Sequence, residues 1–375
     1  MVIYADCAAQ YPPLEAAVDA AENAMKLFGN PSSVHSFARE NAKLIFEARK
    51  VVASAVGAKP SEIVFTASGS EADTTAVFSA AREGLKHKRN KLLIFSCEHS
   101  AVVNSAKAAQ EIFGCELVFV PCLENGCVDL SALSQLADEK TALVSVMHAN
   151  NETGIIQPIA QAAKIAHSCG ALFHTDAVQT VGHIPVNVSD IGCDMLSISA
   201  HKFGGIAGAG ALCCRKNIKL YPLILGGGQE NGRRAGTQNT AAICAMGAAL
   251  DKMCADMDEN MLYVSRLRDM LEGLCGEIEG VRVVGGDRVP GILCVYVSGQ
   301  DGERLSLLFD REGICVSSGA ACSTGTDETG RVLTAMGFDR DAAKGALRFS
   351  LCERNTEQEI RQTADIFRKI LSAKG

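Results

Sequence analysis

An amine, a carboxylate and an imidazole, Lys202, Asp176 and His99, each stand where an apolar run of this sequence ends. Lys202 follows "DMLSIS" in "SISAHKFGG", and lysine is almost never fully buried unless it is paired or put to use. One reading is a side chain that snorkels from a strand end to solvent. The other is a desolvated amine, whose lowered pKa frees it to form a Schiff base. A Schiff-base cofactor such as pyridoxal phosphate asks for a carboxylate at its ring nitrogen, and for N–H groups and hydroxyls at its phosphate. Asp176, in "HTDAVQ", lies 26 residues before Lys202. Ser68, Gly69 and Ser70, in "TASGSEA", open an amphipathic run, and a helix N-terminus attracts phosphate. Ser-Gly-Ser alone reads equally well as a plain N-cap. All three features at successive strand ends point to a cofactor site.

Arg348 and Cys322 are the other chemical candidates. In "ALRFSL", Leu347, Phe349 and Leu351 share one strand face and leave Arg348 and Ser350 on the other. That second face is either solvated or offers a two-pronged guanidinium to a carboxylate. Cys322 stands in "SSGAACSTGTDETG", a run of small residues that suits a mobile, exposed nucleophile better than a core thiol. Most of the sixteen cysteines lie instead in apolar strands or helices, as Cys213, Cys214 and Cys294 do, and behave as small hydrophobes. With no CxxC and no zinc-like Cys/His spacing, free thiols and no metal are expected.

These groups need elements to hold them. From about Ser61, "EIVFT", "KLLIFS", "ELVFVP", "TALVSVM", "ALFHTD" and "DMLSIS" alternate with helix-like stretches such as "EADTTAVFSAAREGL". The pattern predicts an α/β fold with a mostly parallel sheet covered by helices. Ligands of such sheets bind beyond the carboxyl ends of the strands, where Glu98-His99, His148 to Asn151, Asp176 to Gln179 and Ser199 to Lys202 collect. A helical stretch from about Thr240 to Cys275 leads to a second α/β pattern, "VRVVGG", "GILCVYV", "GICVSSG" and "ALRFSL". The expected division is a large domain over 15–255 and a smaller one from 1–14 and 256–375, which carries the Cys322 loop.

The 375 residues are 47% hydrophobic and 21% charged, the balance of a globular protein, and the net charge of −7 argues against nucleic-acid or membrane-surface binding. No apolar run reaches the roughly 18 residues that span a bilayer. "MVIYADCAAQ" has neither a basic region nor an apolar core, so a cytoplasmic location is expected.

Almost end to end, the chain resembles the cysteine desulfurases, in the class V aminotransferase group of fold-type-I pyridoxal-phosphate enzymes. The resemblance rests on "YADCAAQYPP", "GNPSSVHSFARE", "EHSAVVNS", "NNETGIIQPI", "HTDAVQTVGH", "SISAHKFGG", "GGGQENGRRAGTQN", "SSGAACSTG" and "LRFSL", in that order. It implies that Lys202 holds the cofactor, Asp176 keeps its ring nitrogen protonated, and Gln179 donates to its phenolic oxygen. His99 then stacks on the ring and shuttles protons, while Gly69, Ser70, Ser199 and His201 form the phosphate cup. Thr237 matches a phosphate ligand that the family supplies from the partner subunit, which implies a homodimer. Asn151 and Arg348 match the receptors of the substrate carboxylate, and Asn151 also borders the cofactor. Cys322 matches the thiol that takes sulfur from L-cysteine as a persulfide, leaves L-alanine, and passes the sulfur to an acceptor such as an iron–sulfur scaffold or a tRNA-thiolation protein. "SGAACS" resembles the housekeeping branch. Selenocysteine lyase, a class V aminotransferase and a catalytically silent scaffold stay open as alternatives.

The chain departs from the family pattern at several points. Cys7 stands where Asn or another small polar residue is usual, and Gln10 replaces a threonine. "SGSEADT", which contains Asp73, differs from the usual Gly-Ala-Thr-Glu-Ser-Asn, and "HKFGGIAGAG" lacks a Pro-Lys. Gln238 stands in place of a glutamate.

Overall fold

The structure, a computed structural model, describes residues 2–319 and 330–372. Cys322 therefore lies outside the described residues.

Seven of the apolar runs form one sheet. Its strands are β2 (Ile63–Thr66), β3 (Lys91–Phe95), β4 (Glu116–Val120), β5 (Thr141–Ser145), β6 (Leu172–Asp176), β7 (Met195–Ser199) and β8 (Gly210–Cys214), in the order β2-β8-β7-β6-β5-β3-β4. From β7 to β4 every pairing is parallel, while β8 runs antiparallel to both its neighbours. Alternate residues serve the two faces. Leu92 and Ile94 pack with Ala72, Ala76 and Val77 on one side, and Leu93 and Phe95 pack with Phe173 and Ile198 on the other. Strands buried on both faces are mostly apolar, and the polar residues they do carry, Ser145, His174, Thr175 and Ser197, are themselves buried.

Helix α3 (Gly69–Lys86) crosses one face, and Ser68 caps it by accepting from the Glu71 N–H at 3.1 Å. Two helices upstream of the first predicted strand, α1 (Glu15–Met25) and α2 (Ser36–Ala55), are alanine-rich on their buried sides and pack on the helix Thr240–Ala255. A Cβ on Gly247 would stand 2.9 Å from Cα of Ala48, so only glycine admits that approach. The helical stretch after Thr240 is two helices, Thr240–Ala255 and Met257–Gly276, which meet at Asp256.

The remaining strands make two smaller sheets. β9 (Val281–Val283), β10 (Ile292–Val297) and β12 (Ala346–Ser350) form an antiparallel sheet in the order β12-β10-β9. Leu293, Val295, Leu347, Phe349 and Phe367 form its core. β1 (Ile3–Tyr4) pairs in parallel with β11 (Ile314–Cys315), and Asp6 bridges to Ser350. The first residues of the chain are thereby fixed beside its last strand. Among the described residues, fifteen cysteines are free, and no helix is long and apolar enough to cross a membrane.

Candidate active site

The carboxyl ends of β6 and β7, the N-terminus of α3, and the N-terminus of α4 (Ser100–Phe113) surround a cavity of about 200 Å³. Asp176 ends β6 and Ser199 ends β7, while Lys202 closes the short turn that follows. The lysine Nζ donates to the backbone carbonyls of Ala8 at 2.6 Å and Ala9 at 2.9 Å. Gln179 Nε2 donates to the same Ala8 carbonyl at 3.0 Å. The N-terminal segment thus aims two of the expected site residues. Carbonyls leave no mark in a sequence, and this role was not foreseen.

Asp176 is 5% exposed, and its Oδ1 accepts from the Val178 N–H at 2.9 Å. Burial pushes its carboxyl up, while His99 and Lys202 pull it back toward the charged form. His99 caps α4, where its Nδ1 accepts from the Ala101 N–H at 3.2 Å. Gly69 and Ser70 lie in the first turn of α3, whose N–H groups lack intrahelical acceptors. A Cβ on Gly69 would stand 2.9 Å from Cγ2 of Val178 and 3.2 Å from Cβ of Ser199, so glycine is what lets the helix begin here. Ser199 Oγ and His201 Nδ1 are 2.9 Å apart. Burial, with Lys202 beside it, holds His201 down to about 4, so the imidazole is neutral.

Arg348 does not face solvent. It is 2% exposed, and its Nη2 pairs with Asp6 Oδ1 at 2.6 Å while Nη1 donates to the Asn151 carbonyl at 2.8 Å. Among the described residues its buried Nε has no hydrogen-bond partner, and the side chain borders the cavity together with Asn151. Thr237 is not brought to this cavity; it is exposed on the loop before the helix Thr240–Ala255. The described residues on either side of the Cys322 segment do reach the site. Ser317 exchanges backbone hydrogen bonds with Arg348 at 2.7 and 3.2 Å, and Arg331 donates to the Ser96 and Glu98 carbonyls just before His99.

Three acidic groups stand at the site: Asp6 was not foreseen, Glu98 was expected at a strand end without a role, and Asp73 was noted only as a departure from the family pattern. Asp6 holds Arg348. Asp73 is 1% exposed and borders the cavity, and Glu98 is fully buried next to His99. Asp73 stands four residues after Gly69, on the same helix face, and that spacing was the available signal. One atom each of Asp73, His99 and Asp176 lie within 4.8 Å of one another.

Residues 3–363 match the family model described as aminotransferase class-V. The chain belongs to that family. Within it the chain groups with the cysteine desulfurases. It is 40% identical over 373 residues to the cysteine desulfurase IscS of Dictyoglomus turgidum, covering 98% of this chain and 94% of that one. An IscS-like cysteine desulfurase of Mycobacterium tuberculosis is 37% identical over 366 residues, covering 95% and 93%. Among solved structures, a NifS-like protein superposes with a TM-score of 0.92 at 34% identity, over 99% of this chain and all of that one. SspA in complex with cysteine gives 0.83 at 29%, over 93% and 98%.

The family's enzymes work with pyridoxal phosphate, and the residues here fit that group. Asp176 is a buried carboxylate of the kind that pairs with a ring-nitrogen cation, and the Gly69 cradle would be filled by any larger side chain. The donor set of helix N–H groups, hydroxyls and one amine matches a phosphate and an aldehyde. One departure from the family pattern has a local cause. Gln238 Nε2 donates to Glu230 Oε1 at 2.8 Å, so a glutamate there would set a second carboxylate against a buried one.

Proposed function

We propose that the protein is a pyridoxal-phosphate-dependent cysteine desulfurase, which takes sulfur from L-cysteine, leaves L-alanine, and carries the sulfur as a persulfide on Cys322. What supports this most is the convergence of Lys202, Asp176, His99 and Arg348 on one cavity from separate elements. Lys202 would hold the cofactor and Asp176 the proton on its ring nitrogen. Gly69, Ser70, Ser199 and His201 would receive the phosphate, with Thr237 from a second copy of the chain, and Gln179 the phenolic oxygen. When bound, the ring draws electrons away from the substrate α-carbon.

The chain's own groups do the rest. Arg348 and Asn151 receive the substrate carboxylate, and the pairing with Asp6 keeps the guanidinium oriented beforehand. The Lys202 amine and the His99 imidazole move protons at the substrate carbons. The Cys322 thiolate attacks the substrate sulfur, so a carbon–sulfur bond breaks and a sulfur–sulfur bond forms. The proton balance closes at the methyl carbon of alanine, and no oxidant is needed. The persulfide then passes to an acceptor protein, an iron–sulfur scaffold or a tRNA-thiolation protein. The working form is a cytoplasmic homodimer, and each chain is divided into 15–255 and the smaller unit 1–14 with 256–375.

The test is to incubate the protein with L-cysteine and a thiol reductant and to assay alanine and sulfide together. Equal amounts of both are expected, and Cys322→Ala should stay yellow while both products fall to background. A keto acid without sulfide would assign an aminotransferase instead. Protein that stays colourless with added pyridoxal phosphate would overturn the reading altogether.

A further inference from the structure

Lys202 is held at its backbone as well as at its amine. Its carbonyl accepts from His183 Nε2 at 2.8 Å. The His201 carbonyl accepts from the Tyr11 N–H at 3.0 Å, and that of Gly204 from the Leu14 N–H at 2.9 Å. Tyr11 and Leu14 continue the N-terminal segment whose Ala8 and Ala9 carbonyls receive the lysine Nζ. His183 comes from elsewhere. It stands on the turn that follows β6, seven residues after Asp176 and four after Gln179. The Thr180 and Val181 N–H groups donate to the Ala177 carbonyl, and those of His183 and Ile184 to the Thr180 carbonyl, which makes this turn one piece.

Strands β6 and β7 pair as far as Asp176 and Ser197, and the Ala177 N–H donates to the Ser197 carbonyl at 3.1 Å. Beyond that point one chain carries the turn of Asp176 and Gln179 and the other carries Lys202. The bond from His183 to the Lys202 carbonyl joins them again. A Cβ on Gly182 would stand 3.0 Å from that of Phe203, so the two turns touch where the imidazole crosses. Tyr11 backs the imidazole, with ring centroids 5.4 Å apart, and its hydroxyl donates to the Glu353 carboxylate. A carbonyl can only accept, so Nε2 carries the proton of the His183 ring. Burial holds this imidazole below its ordinary range, which leaves it neutral with a lone pair on Nδ1.

We propose that His183 is a positioning residue for Lys202: it ties the lysine backbone to the turn of Asp176 and Gln179, and so raises the effective concentration of the amine at the cofactor aldehyde. This rests on the reading of Lys202 as the residue that forms the Schiff base. His183 acts through the lysine backbone and not at the reacting atoms. An amine added from solution competes with Lys202 for the aldehyde carbon. One carbon–nitrogen double bond replaces another, and the protons of the incoming amine pass to the released lysine, so no oxidant or reductant enters. The concentration that displaces Lys202 therefore measures how well the lysine is placed.

The experiment titrates cofactor-loaded protein with methylamine and, separately, with L-alanine, then adds borohydride to fix whatever cofactor is still on the chain. Losing one neutral hydrogen bond weakens the hold roughly 2- to 12-fold. His183→Leu should reach half-displacement at an amine concentration lower by that factor. The factor should be the same for both amines, because methylamine has no carboxylate for Arg348. His183→Gln, whose amide can donate to the same carbonyl, should stay close to the wild type. Long-range ¹H–¹⁵N spectra of histidine-labelled wild type should show a neutral ring protonated on Nε2 that is absent from His183→Gln. Four outcomes would each overturn the proposal: a His183→Leu titration that matches the wild type, equal losses in the Leu and Gln variants, a shift for L-alanine alone, or a His183 ring protonated on Nδ1. The last is read on the wild type, so it holds even where His183→Leu does not fold. None of these readouts uses cysteine or sulfur. A yellow protein that fails them loses only the role of His183, whereas a protein that stays colourless loses the Schiff-base reading itself.

Discussion

Arg348 shows how one side chain can be legible in type but not in setting. Strand alternation put it opposite Leu347 and Phe349, and that much holds, since those two enter the small core while the guanidinium does not. Which of the two possible faces it met depended on Asp6 and Asn151, residues 342 and 197 positions away. Arg348→Ala should leave the yellow cofactor in place and lower kcat/KM for cysteine. Losing a hydrogen bond to a charged group costs about 1.5–3 kcal/mol, roughly 10- to 150-fold in affinity. Unchanged kcat/KM would remove Arg348 from substrate recognition. Lys202→Ala should behave differently: after borohydride reduction, which converts a Schiff base to a stable amine, denatured wild type should keep the cofactor on the chain and the variant should not.

At the scale of elements, the loop of Glu230 ties α2 and β2 to the segment that carries Thr237. The Glu230 carboxylate takes both prongs of Arg49 at 2.7 Å, the Phe65 N–H at 3.1 Å and Gln238 at 2.8 Å. Glu230 itself has φ 49°, the left-handed region that side-chain-bearing residues seldom adopt. The pairing outweighs burial and draws the carboxyl down. Its stabilisation is therefore present above the ordinary glutamate range and is lost as pH falls through the lowered value. Arg49→Ala leaves a buried charge unpaired and should cost about 3–5 kcal/mol in urea unfolding at neutral pH, with a smaller penalty in acid. Gln238→Glu should destabilise in the same sense, since it places like charges in contact. An Arg49→Ala penalty that does not shrink in acid would assign the loss to packing rather than to the ion pair.

At the scale of the molecule, the described chain leaves large apolar side chains in water near the Thr237 loop. Leu225 is 81% exposed, and the Ala235 N–H donates to the Ile224 carbonyl at 3.2 Å, which joins the two segments. In the proposed dimer, the second copy that draws on Thr237 would cover these side chains. Light scattering should show a twofold dimer at assay concentration. Mixing inactive Lys202→Ala with inactive Thr237→Ala, followed by subunit exchange, should restore activity, because one site of each hybrid would draw Lys202 and Thr237 from intact chains. No recovery in a mixture shown to exchange subunits would mean that each chain builds its site alone.

The alternation of apolar strands with helices, and the polar residues just beyond each strand, were enough to determine the parallel sheet and to bring Lys202, Asp176, His99 and Gly69 to one edge. The reason is local: a strand buried on both faces is mostly apolar, so the polar and ionisable cluster beyond its end is visible in the sequence. Two upstream helices and β1 escaped because alanine-rich packing has little contrast and a two-residue strand has no period. Only the tertiary structure decided that Ala8 and Ala9 hold Lys202, that Asp6 holds Arg348, and that Asp73 is buried close to Asp176 and His99. Those contacts join residues far apart in the chain, through backbone carbonyls or through side chains whose charge depends on what else is buried beside them.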